Sequence, residues 1–104
     1  VAVLIDTTAV AANGVGVTLT PGADVVVQVA MPEVSGTDKR SVTLYGKADN
    51  AAPFEVIRGG YFRDPGRNGY FITMKAPLVL QARVANNVVD ENGDPTRVQA
   101  WVTA

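Results

Sequence analysis

Apolar residues recur at every second position through six separate stretches of this chain. Val15, Val17 and Leu19 alternate with Gly16, Thr18 and Thr20. Val25, Val27, Val29 and Met31 repeat the pattern with Gln28 opposite, and Val42 and Leu44 alternate with Ser41, Thr43 and Tyr45. Tyr70, Ile72 and Met74 alternate with Phe71, Thr73 and Lys75. Leu78, Leu80, Ala82 and Val84 alternate with Gln81 and Arg83, and Val98, Ala100 and Val102 with Gln99, Trp101 and Thr103. A strand throws successive side chains to opposite faces, so this period specifies strands with one buried and one wet face. No stretch carries a capped 3.6-residue period.

Composition points the same way. Val, Ile and Thr supply thirty of the 104 residues, eighteen of them Val, and such side chains suit a pleated surface and are poor helix formers. Turn chemistry punctuates the alternation at Asn13-Gly14, Pro21-Gly22, Ser35-Gly36, Asp64-Pro65-Gly66, Asn68-Gly69 and Asn92-Gly93. The expectation is about eight short strands near 1–6, 15–20, 24–31, 40–46, 53–58, 69–75, 78–85 and 96–103. They fold as one all-β domain over 1–104, an antiparallel β-sandwich or jelly roll. Segment 6–14 lacks clear periodicity and is expected as a contact arm laid on a neighbour.

The sequence removes much chemistry. It has no His and no Cys, hence no Ser-His-Asp triad, no thiolate metal site and no disulfide. The acidic residues fall mostly beside turns, and no two of them promise to flank one scissile bond. A non-enzymatic protein without a cofactor is expected. "DENGDP", residues 90–95, offers the best metal candidate, since Asp90, Asn92 and Asp94 take the spacing of the first three ligands of a calcium loop. Pro95 then stands where Gly belongs and Trp101 where the closing Glu belongs, so an acidic Asn-Gly turn is the simpler expectation. The longest apolar runs are too short to span a bilayer. Val1 to Ile5 follow no basic region and end at Asp6, unlike a signal peptide.

"RGGYFRDPGRNGYF", residues 58–71, concentrates Arg58, Arg63 and Arg67 with four of the six Tyr and Phe residues. The simplest expectation is a long hairpin loop, with Gly59 and Gly60 allowing a bend or bulge. In each Tyr-Phe pair one ring should face the core and the other should face out. Arg58, Tyr61, Phe62, Arg63, Arg67 and Tyr70 are candidates for a protein interface, where Tyr and Arg are enriched. A bare hairpin and a single-strand nucleic-acid contact are the alternatives, but a net charge of −1 gives no global field for a polyanion. No nucleic acid and no membrane are expected as partners. Residues 1–38 carry −4, 39–83 carry +5 and 84–104 carry −2, a division that suits self-association.

The valine-rich strands "GVGVTLTPGADVVVQVAM" and "LVLQARVANNVV", with the Arg/aromatic segment between them, resemble the small virion proteins of tailed bacteriophages, of the capsid decoration or cement type. The resemblance is one of composition and style over the whole chain. It implies a domain on the capsid surface of a virion, bound to the major capsid protein, often as a trimer, that strengthens the lattice. A carbohydrate-binding or adhesin module is the other expectation, with Trp101, Tyr45 and Tyr61 on a sheet face or loop rim.

Overall fold

A computed structural model describes residues 1–36 and 39–103. Among them there are nine strands and no helix: β1 (Ala2–Thr7), β2 (Ala12–Asn13), β3 (Val17–Thr18), β4 (Asp24–Ala30), β5 (Ser41–Lys47), β6 (Glu55–Arg63), β7 (Tyr70–Lys75), β8 (Val79–Ala85) and β9 (Val98–Val102). They form two antiparallel sheets, ordered β1-β9-β4-β7 and β2-β8-β5-β6, with β3 also paired to β8. With β2 and β3 taken as one interrupted strand, this is the strand order of a jelly roll. The chain passes from one sheet to the other after β1, β3, β4, β6, β7 and β8.

The alternating residues meet between the sheets. Val25, Val27, Val29, Val98, Ala100 and Val102 come from one sheet and Val42, Leu44, Leu80, Ala82 and Val84 from the other, all buried with Leu4, Ile5 and Met31. Tyr70, Ile72 and Met74 pack against this core from an edge strand and stay half-buried. The expected strand 15–20 shrinks to Val17–Thr18, and Val15 stands exposed.

Asn13-Gly14 is no turn. Gly14 donates its N–H to the Ala82 carbonyl, and a Cβ there would collide with the Leu4 carbonyl oxygen. The expected arm 6–14 lies on its own fold instead. Ala12 and Asn13 pair with Val84 and Arg83, and the Val10 carbonyl accepts the Asn87 N–H. Backbone pairing, which has no sequence period of its own, holds this segment.

β6 runs through the two glycines. Thr43 faces Tyr61 while Tyr45 faces Val56, so β6 carries a wide bulge, and Gly59 within it has φ 79°. That positive φ is open to Gly at no steric cost.

Candidate functional site

Segment 58–71 is not a hairpin. β6 is the edge of one sheet and β7 the edge of the other, so residues 64–69 cross between sheets. A buried ion pair fixes the crossing. Arg40 Nη2 and Nε donate to Asp64 Oδ1 at 2.7 and 3.1 Å, and the Arg40 backbone N–H donates to Asp64 Oδ2 at 3.0 Å. The Asp64 N–H donates back to the Arg40 carbonyl, and Arg40 Nη2 also reaches the Pro32 carbonyl. Both side chains are fully buried. Low dielectric strengthens such a pair and makes either partner costly alone. The Asp64–Pro65 peptide is cis, and the Tyr70 hydroxyl donates to the Pro65 carbonyl at 2.6 Å.

The predicted interface residues divide accordingly. Phe62 and Tyr70 turn inward against the core, their ring centroids 5.4 Å apart, and so hold the crossing together. Tyr61 and Phe71 turn outward, 57% and 64% exposed. The in-and-out division of each Tyr-Phe pair is therefore as expected, but the two outward rings belong to different sheets and form no common patch. Arg58, Arg63 and Arg67 are exposed. Among the described residues none of the three makes an ion pair, and the Arg67 guanidinium lies 5.1 Å from the centre of the Tyr70 ring.

A second surface was not apparent from the strands taken singly. Register places Val3, Trp101, Gln28 and Phe71 in one row across β1, β9, β4 and β7. Val1, Val26 and Thr103 adjoin that row, and with Gln28, Phe71 and Trp101 they line a shallow concavity of about 370 Å³ on the outer face of the sheet. Val1 and Val3 are 89% and 52% exposed. Polar pairs bound the surface. Asp24 meets Lys75 at one end, and Asp6 meets Arg97 at the other, each at 2.6 to 2.7 Å. An apolar centre within a polar rim is the composition of a contact surface. The signal lay in the outward positions of four alternating strands, which join only when the strand order is known.

The other outer face is covered by its own side chains. The Arg83 guanidinium stacks on Tyr45 at 3.8 Å, Lys47 lies 4.7 Å from the centre of Phe54, and Arg83 Nε donates to Gln81 Oε1. Tyr45 and Tyr61 thus share a sheet opposite Trp101, so the structure does not gather the three into one rim.

In the 90–94 turn, Asp90 Oδ1 accepts the N–H groups of Asn92 and Asp94 at 2.9 Å each. The carboxylate closes its own turn, as Asp does in turns. Among the described residues, no three acidic, His or Cys side chains gather into a metal site.

Arg97 donates through Nε and Nη2 to both Asp6 oxygens. That hydrogen bonding holds the Asp6 carboxyl below its ordinary value of 3.8, with desolvation opposing it. A lowered folded-state pKa contributes stability above the unfolded value and loses it as pH falls through the folded one. The advantage of the native chain over Asp6→Asn in urea unfolding is therefore expected to be constant near neutrality and to shrink below about pH 4.

Compared with protein-family models, curated proteins and solved structures, the chain matches none.

Proposed function

We propose that the protein is a non-enzymatic structural interaction protein, a capsid decoration or cement protein that binds the lattice of a tailed-phage head through the outer face of the β1-β9-β4-β7 sheet. The observation that supports this reading is the Val3–Trp101–Gln28–Phe71 row with its paired-charge rim. Trp and Phe present large apolar areas that few conformations must be given up to bury. The jelly-roll strand order agrees with this reading, since viral capsid domains use it, although a fold alone assigns no function.

The test is co-sedimentation with undecorated tailed-phage capsids. Trp101→Ala combined with Phe71→Ala is expected to weaken binding at least about 30-fold, the equivalent of about 2 kcal/mol for a hot spot. The melting temperature should stay near that of the native chain, because both side chains are on the outer face. Unchanged binding by the double variant would remove the contact from this face.

One observation favours a second reading. Trp101 and Phe71 flank Gln28 on adjacent strands, which sets them about 9.6 Å apart. Two aromatic side chains at that separation, with an amide between them, suit neighbouring sugar rings. Glycan-array binding lost in Trp101→Ala, with no capsid binding by the native chain, would select it.

A further inference from the structure

At the end of the sandwich marked by Ser41, the charged groups outside ion pairs are divided in space. β6 and β8 both run antiparallel to β5, and Arg63 and Ala85 both stand opposite Ser41. The crossings that follow β6 and β8 therefore leave the sandwich at the same end, on opposite sides of β5, and the second holds a short hairpin at 89–95. The crossing carries Arg63 and Arg67, with Arg58 on the bulge of the same edge. The sequence between β4 and β5 adds Glu33, Asp38 and Lys39, a net −1, so the basic excess rests on Arg58, Arg63 and Arg67. The hairpin, closed by the Val89–Pro95 bridge, carries Asp90, Glu91 and Asp94. Arg97 does not neutralise them, because it is paired with Asp6. Each corner also shows apolar surface. Tyr61 lies between Arg58 and Arg63 along β6, Val89 directly precedes the acids, and the Val10 carbonyl accepts the Asn87 N–H at the start of the same crossing; Val89 and Val10 are 56% and 68% exposed.

We infer that the protein associates side by side with copies of itself, the 89–95 hairpin on the β8–β9 crossing of one copy seating on the β6–β7 crossing of the next. Charge sign and placement carry the argument. A rotation about an axis along the strands keeps both corners at one height and brings acid to base. A two-fold contact through either corner alone sets like charges together, at a cost. The contact therefore pairs unlike corners, and repeated head-to-tail it closes into a ring where the rotation permits. Tyr61 is its apolar anchor, reaching toward Val10 and Val89 of the neighbour. It goes beyond the lattice reading and uses none of the Val3–Phe71 row.

The test is molar mass by light scattering. The native chain should have a mass several times that of the 10.9 kDa protomer at low ionic strength and a smaller one at high ionic strength. Arg63→Glu with Arg67→Glu, and separately Glu91→Lys with Asp94→Lys, should each weaken association at least tenfold while melting like the native chain. Arg58→Glu with Arg67→Glu replaces the first pair if the change beside Asp64 impairs folding. Mixing the acid-only and base-only variants should restore assembly in equal amounts. A native chain that stays monomeric at both ionic strengths overturns the inference, as do reversed variants that assemble like the native chain or a mixture that stays monomeric. Capsid binding by a monomeric native chain would sink this contact and leave the lattice proposal standing.

Discussion

Asp64→Ala is expected to destabilise the fold by about 3–5 kcal/mol, the cost of leaving a buried charge without its partner. The carboxylate it removes receives the Arg40 guanidinium and the Arg40 backbone N–H within one buried site. Without it the guanidinium keeps only the Pro32 carbonyl among the contacts described. Its Nη1 already lacks a partner among the described residues. Urea unfolding measures the change as a fall in midpoint at constant slope. Arg63→Ala, one residue away and exposed, should stay within about 0.5 kcal/mol. A loss below about 1 kcal/mol in Asp64→Ala would mean that water reaches the guanidinium and that the crossing is not fixed by this pair.

Gly66→Ala should be nearly as damaging, about 3 kcal/mol, at the upper end of what overpacking usually costs. A Cβ at this position would overlap the carbonyl oxygens of Met31 and Pro32 and Arg40 Nη2. Backbone cannot move aside as the end of a flexible side chain can, and here it is held, since the Met31 N–H donates to the Arg67 carbonyl. Gly22→Ala is the informative contrast. Nothing lies within 4 Å of a Cβ at Gly22, and its cost would come from a φ of 81° alone, on the order of 1 kcal/mol. Thermal melts of the two variants separate crowding from backbone strain. Equal losses would show that the crossing gives way easily.

The strands and their inward faces were legible because alternation is a local property. Val27 and Leu44 are buried for the reason their neighbours Gln28 and Tyr45 are not. The route between strands was not legible. Asp64-Pro65-Gly66 and Asn68-Gly69 announce a change of direction, and a hairpin and a crossing between sheets both need one. Which edge receives β7 is decided by its pairing with β4, more than forty residues earlier in the chain. In sequence Arg40 only opens the expected strand 40–46 and Asp64 only opens a turn, and their meeting across 24 residues makes a buried pair. The Val3–Trp101–Gln28–Phe71 row failed to show for a related reason. Its members are outward positions on four strands, ordinary singly, and they become a surface when strand order lays them side by side.

The pairing of β1 with β9 also bears on how the chain is made. Ala2 faces Val102, so β1 leaves a ribosome about a hundred residues before the strand it pairs with. At ordinary elongation rates of about 5–20 residues per second, that is an interval of several seconds. During it Val3, Leu4 and Ile5 form a strand edge without its neighbour, the kind of segment that adds to other chains. Closing such distant contacts places folding in the slow, millisecond-to-second range of all-β domains. Aggregation during high-level expression, relieved by lowering the number of chains being made at once, is the practical consequence of that single pairing.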